Sequence, residues 1–148
     1  MKVAILMGSP RDDEKMVGAS EMLTRFGVEH EVHVMSAHRT PEEVAEFASN
    51  ARSNGLGVII CGAGMAAHLA GVVSAHTTIP VIGVPLSGGI SGGMDALLST
   101  VQMPRGIPVA TVAVDGSANA GVLAVEILSL SNDDLVAQLQ RFRDEGAR

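Results

Sequence analysis

Short continuous apolar runs alternate along this chain with longer stretches in which apolar positions return every three or four residues. A continuous run suits a strand covered on both faces, and the longer spacing is that of a helix with one buried stripe. The runs predict strands over residues 2–7, 28–35, 57–61, 81–84 and 109–114. Helices are expected over residues 12–26, 41–53, 66–75, 95–101, 119–130 and 133–144. In the first helix Met16, Ser20, Leu23 and Phe26 fall near one face, and Gly27 stops it. The second carries Val44, Phe47, Ala48 and Ala51 inward and ends at Asn54-Gly55. Its start reads as Thr40 at the N-cap, Pro41 at the first helical position and Glu43 completing a capping box. Leu135, Leu139 and Phe142 give the last helix an apolar face that needs a partner surface.

Strand and helix alternate without a linker, an internal repeat or a low-complexity segment, which implies a single domain over residues 1–148. The expected fold class is α/β: a three-layer, doubly wound, flavodoxin-like parallel sheet of five strands ordered 2-1-3-4-5, with an extra C-terminal helix. Such a sheet gathers the loops after its strands on one edge, where ligands bind. Those loops are residues 8–13, 36–40, 62–69, 85–93 and 115–119, and they hold most of the polar chemistry of the chain.

Composition narrows the partners. The chain has 148 residues, enough to bury roughly 70% of its unfolded surface. A net charge of −6 without a basic cluster argues against nucleic acid and anionic membranes. Trp and Tyr are absent, so base stacking on aromatic platforms is disfavoured as well. No apolar run reaches the roughly 18 residues of a membrane span, and residues 3–7 are too short for a signal-peptide core. The single Cys61 excludes an intrachain disulfide and makes the cytoplasm the expected location. A mean hydropathy of +0.32 is high for a monomer, and buried subunit interfaces would account for it.

The most informative loop reads Ser36-Ala37-His38-Arg39-Thr40-Pro41. It sets an imidazole and a guanidinium side by side between a strand end and a helix start. That pairing suits acid/base chemistry on a phosphorylated small molecule; the plainer alternative is a capped turn facing water. Gly8-Ser9-Pro10-Arg11-Asp12 occupies the usual phosphate position of α/β folds. Its continuation, Asp12-Asp13-Glu14, repels phosphate, and without Trp or Tyr a flavin is disfavoured. Asp12 and Asp13 are equally well explained as helix caps. Residues 62–67 match a dinucleotide fingerprint, but the acidic ribose partner about 20 residues later is missing.

Gly89-Ile90-Ser91-Gly92-Gly93 matches a nucleophile elbow, yet every histidine precedes it, so a flexible loop or lid is the better reading. His30 and His33, three apart on a strand, point to opposite faces and cannot chelate one metal. His76 reads as a surface residue, Cys61 as a packed thiol, and His68 as either a site residue or a buried imidazole. Lys2 and Lys15 are the only lysines, and neither falls on a candidate loop, which disfavours Schiff-base and pyridoxal phosphate chemistry. Neither a metal nor a cofactor is expected. The chemistry is left to His, Arg, Asp, Ser and backbone amides.

Together these pieces resemble the N5-carboxyaminoimidazole ribonucleotide mutase family of purine biosynthesis. The resemblance is carried by Met7-Gly8-Ser9, Asp12 and Met16; by Ser36-Ala37-His38-Arg39-Thr40-Pro41; by Ala63-Gly64, Ala66-Ala67-His68-Leu69 and Gly71; and by Pro80-Val81-Ile82-Gly83-Val84-Pro85. It continues through Gly93, Asp95, Val101-Gln102-Met103-Pro104, Gly106, Pro108-Val109 and Asn119-Ala120, so that it spans nearly the whole chain.

It implies an isomerase that converts N5-carboxyaminoimidazole ribonucleotide to the 4-carboxy isomer by decarboxylation and recarboxylation. It further implies His38 as general acid/base, His68 as a second active-site histidine, and Ser9, Asp12 and Arg39 as substrate-binding residues. Ser36, Gly64, Ala66, Ala67, Leu69 and Arg11 join them as candidate contacts, and a homo-octamer is implied. Two positions depart from the family pattern: Arg11 stands where serine is usual, and Ala70 where proline is usual. The first puts a hydroxyl contact in doubt, and the second would loosen the backbone near His68.

The chemistry fits these side chains. A carbamate loses carbon dioxide once its nitrogen is protonated, and the electron-rich aminoimidazole can recapture the gas at carbon without a metal. An imidazole, with an ordinary pKa of about 6.5, can serve both proton transfers near neutrality. Gly64, Met65, Ala66 and Ala67 would wall off a dry pocket, Arg39 would fork onto phosphate oxygens, and Asp12 would accept from ribose hydroxyls. The alternatives are direct carboxylation of aminoimidazole ribonucleotide by free carbon dioxide and a non-catalytic nucleotide-binding module.

Overall fold

The computed structural model describes residues 1–147. β1 (Lys2–Met7), β2 (His30–Val34), β3 (Leu56–Gly64), β4 (Val81–Leu86) and β5 (Ala110–Thr111) form one parallel sheet in the order 2-1-3-4-5, as the alternation of elements predicts. The helices are α1 (Asp13–Arg25), α2 (Pro41–Asn50), α3 (Leu69–His76), α4 (Met94–Val101), α5 (Ser117–Ser129) and α6 (Asp133–Asp144).

Alternating residues of the central strands feed two cores. Val3, Ile5, Met7, Val58, Ile60 and Ile82 face α1 and α5, while Ala4, Leu6, Ile59, Cys61 and Val81 face α2 and α3. All of these are at most 4% exposed, which is why their segments read as unbroken apolar runs. At Gly62 an added Cβ would lie 2.3 Å from the Met16 sulfur, so α1 rests directly on β3. His30 bonds to Ser20 of α1 while His33 stacks near Phe47 of α2, on opposite faces as the two-residue period requires. His76 is exposed at the end of α3.

Several expectations need correction. The capping box at α2 does not form. Thr40 makes no side-chain cap bond; its hydroxyl instead accepts the Ser36 N–H at 3.1 Å and faces the Ser36 carbonyl, closing the preceding turn. β3 runs on to Gly64 because Ala63 and Gly64 still pair with Pro85 and Leu86. Residues 66–68 then form turns, with the Ala67 N–H on the Met65 carbonyl and the His68 N–H on the Ala66 carbonyl, so α3 begins only at Leu69.

β5 keeps just two ladder residues, although the Val112 and Asp115 N–H groups still reach the Gly83 and Pro85 carbonyls. The apolar face of α6 is satisfied within the chain. Leu135 and Phe142 are buried, Leu139 packs on the first core, and the Phe142 ring meets Phe26 edge-on at 5.4 Å. No helix of the described residues is long and apolar enough to cross a membrane.

Candidate active site

Four of the strand-to-helix loops converge on a cleft of about 320 Å³ at the carboxyl edge of the sheet. The β1 loop supplies Ser9, Arg11 and Asp12, and the β2 loop supplies Ser36, His38 and Arg39. The β3 loop supplies Gly64, Met65, Ala66, His68 and Leu69, and the β4 loop supplies Ser87, Gly88 and Gly89. Every expected site residue except Ala67 lines this cleft. Ala67 is 2% exposed and lies beneath the loop, because the two tight turns over residues 65–68 fold its side chain inward.

The β1 and β2 walls are held by local bonds. The Ser9 hydroxyl accepts the Arg11 N–H at 3.2 Å and caps a 3-10 turn over Pro10–Asp12. The Ser36 hydroxyl accepts both the His38 and the Arg39 N–H at 3.3 Å, which fixes the tight turn presenting those two side chains. His38 Nε2 then lies 2.6 Å from His68 Nδ1, with the rings nearly perpendicular. The guanidinium groups of Arg11 and Arg39 have no ion pair among the described residues. An Arg11–Glu14 pair, one helical turn apart, does not form.

Asp12 is not a side-chain cap of α1. Burial pushes its carboxyl above the ordinary carboxylate range, against the opposing pull of the Ser9 backbone and the Lys15 charge. Met65 adopts φ +54, a left-handed conformation that costs a side-chain-bearing residue energy, and is 67% exposed over the cleft. Ala70 lies buried in the first turn of α3. Cys61 is buried beneath the floor, where desolvation pushes its thiol far up and leaves it unreactive. No group of three metal-ligating side chains exists among the described residues.

Sequence reasoning missed Lys15 and Ser87. Lys15 Nζ donates to the Ser87 carbonyl at 2.6 Å and to its hydroxyl at 2.8 Å. Lys15 sits on a helix rather than a loop, and the only available signal was its helical register, one turn beyond Asp12.

The same architecture recurs in known proteins. The AIR carboxylase family matches residues 2–148. The chain belongs to that family. A relative from Vibrio vulnificus (strain CMCP6), named N5-carboxyaminoimidazole ribonucleotide mutase, is 52% identical over 98% of this chain and 91% of its own length. The phosphoribosylaminoimidazole carboxylase of Candida glabrata is also 52% identical, over 95% of this chain but only 25% of its own length. Among solved structures, Treponema denticola PurE superposes with a TM-score of 0.86 at 29% identity, covering 98% of this chain and 90% of that one. Family members of mutase name are therefore matched nearly end to end, and the carboxylase over one segment.

Proposed function

We propose that this protein is an N5-carboxyaminoimidazole ribonucleotide mutase, which moves a carboxylate from the exocyclic nitrogen to the neighbouring ring carbon. The observation that carries the reading is the 2.6 Å contact of His38 with His68 in a cleft that also holds two unpaired guanidinium groups. One proton-transfer pair beside anion-binding side chains is what this isomerisation demands.

In the proposed reaction the His38 imidazolium donates a proton to the carbamate nitrogen. The bond between that nitrogen and the carboxyl carbon breaks, its electron pair stays on nitrogen, and carbon dioxide is released into the cleft. The ring carbon attacks the gas to form the new carbon–carbon bond, and neutral His38 removes the proton from that carbon. Proton balance closes within the cycle. His68, accepting from His38 Nε2, would orient the ring and share its positive charge. Arg39 and Arg11 would hold the phosphate, Asp12 the ribose hydroxyls, and Ser9, Ser36, Gly64, Ala66 and Leu69 the remaining surface of the nucleotide.

A cytoplasmic homo-octamer is proposed with this function. Its support is the family resemblance, the lone buried Cys61 and the exposed stripe of Met94, Leu98 and Val101 on α4.

The identity to the Candida glabrata carboxylase keeps direct carboxylation as a second reading. One assay separates the two. Purified protein should convert N5-carboxyaminoimidazole ribonucleotide, followed by absorbance of the product, far faster than it carboxylates aminoimidazole ribonucleotide in bicarbonate buffer. The opposite order of rates would make it a carboxylase, and binding without turnover a nucleotide-binding module.

A further inference from the structure

The β4 loop is a wall of the cleft whose construction depends on side chains from distant elements. Lys15 reaches it from the first turn of α1 and holds both the carbonyl and the hydroxyl of Ser87, 72 residues away in sequence. From the other side the Ser87 N–H donates to Asp115 Oδ1 at 2.9 Å. Burial opposes the Asp115 charge, but the neighbouring Ser87 and the Lys15 cation outweigh it and hold the carboxyl below its ordinary range. Asp115 has φ +56, a conformation few side-chain-bearing residues adopt, so strained backbone aims this carboxylate at Ser87.

The two glycines after Ser87 give the arrangement a purpose. Gly88 and Gly89 line the cleft, and neither backbone N–H has an acceptor among the described residues. The next N–H, of Ile90, is taken by Asp95 Oδ2 at 3.0 Å. Two consecutive free amides thus lie between two pinned ends, with Gly88 at φ +115. Successive free N–H groups can donate together to an anion, with the Lys15 cation beside them and the Asp115 and Asp95 carboxylates already engaged by the Ser87 and Ile90 N–H groups.

We propose that Lys15 is a positioning residue for substrate binding: through Ser87 and Asp115 it fixes the amides of Gly88 and Gly89 as donors to an anionic oxygen of the substrate. This rests on the mutase reading, whose substrate bears both a carboxylate and a phosphate. A contact to the phosphate, which stays anionic throughout, strengthens binding of substrate and transition state alike, so its loss falls on KM alone; a contact to the carboxylate, whose charge is lost as carbon dioxide forms, would raise KM and change kcat as well.

The test uses Lys15→Met and Lys15→Arg in the full chain, with steady-state kinetics on N5-carboxyaminoimidazole ribonucleotide and amide hydrogen exchange over residues 87–90. Lys15→Met should raise KM about tenfold, with kcat within about twofold of wild type for a phosphate contact and a larger change in kcat for a carboxylate contact. Exchange at Ser87 should speed up, and Lys15→Arg should recover most of both effects. Calorimetric binding of aminoimidazole ribonucleotide, which lacks the carboxylate, identifies the oxygen. An equal loss of affinity supports a phosphate contact, and undiminished affinity supports a carboxylate contact.

Wild-type turnover with an unchanged KM in Lys15→Met would overturn the proposal, even with faster exchange, because Lys15 would then only tether the loop. If the wild-type protein turns over neither substrate, the mutase reading fails instead. Lys15 is then judged by exchange and calorimetry: unchanged protection at Ser87, or equal affinity of wild type and Lys15→Met for N5-carboxyaminoimidazole ribonucleotide, overturns its role.

Discussion

His38 and His68, thirty residues apart in sequence, meet through Nε2 and Nδ1 at 2.6 Å, with a plane angle of 79° between the rings. One hydrogen bond of this kind leaves the outer nitrogen of each ring available to a ligand. It also ties the orientation of the β2 loop to that of the β3 loop, so neither histidine can be changed without affecting the other.

His38→Asn should lower turnover by roughly 100-fold or more, because asparagine keeps a polar group but exchanges no proton near neutrality. Thermal unfolding and substrate affinity should change little, since His38 is exposed. Retention of a tenth of wild-type kcat in a steady-state assay would exclude it as the acid/base.

Replacing Arg11 separates its two roles. Arg11→Ala should raise KM about tenfold with kcat nearly unchanged, the loss of one charge-assisted bond of roughly 1.5–3 kcal/mol before solvent screening. Arg11→Ser should change KM by no more than several-fold, because a hydroxyl near Ser9 restores a phosphate donor. An unchanged KM for Arg11→Ala at physiological salt would leave Arg39 as the sole cationic phosphate contact.

Asp12 gives a stability prediction of definite sign. Burial raises its folded pKa above the unfolded value, so the folded state binds the proton more tightly. Ionised Asp12 therefore lowers stability above the folded pKa, and the penalty disappears as pH falls through that value toward the unfolded one. Asp12→Asn should raise Tm at pH 7 by about 1–2 °C, a small effect because solvent screens a partly exposed carboxylate. The gain should vanish near pH 3, while KM rises at neutral pH. Calorimetric scans at the two pH values decide it, and a lower Tm at pH 7 would refute the burial argument.

Light scattering at micromolar concentration should give the mass of a closed homo-oligomer, eight chains in the proposed assembly. Leu98→Asp, in the exposed stripe of α4, should shift that mass downward without unfolding the subunit. A wild-type monomer would contradict the assembly.

The strands and their order were legible because buried parallel strands write themselves as continuous apolar runs: Val3 to Met7 are all at most 2% exposed. The carboxyl-edge loops came with that order, which is why ten candidate residues fell into one cleft. What stayed hidden depended on distance or on competition for a hydroxyl. Thr40 was free to cap α2 on sequence grounds, but the nearer Ser36 backbone took its hydroxyl. The face of α6 looked unpartnered only because Phe26, more than a hundred residues earlier, gives no local sign of meeting Phe142. Lys15 escaped for the same reason. A flexible four-carbon stem carries its charge away from the helix on which it is written.

Ile90, at the tip of the β4 loop, is 73% exposed in a chain that holds neither Trp nor Tyr. The protein is consequently almost dark: its three phenylalanines absorb and emit only weakly, and nothing in it is excited at the wavelengths that select an indole. A single indole introduced as Ile90→Trp would be its sole fluorophore, one residue from the cleft wall. Its emission would report on the wall against an almost empty background.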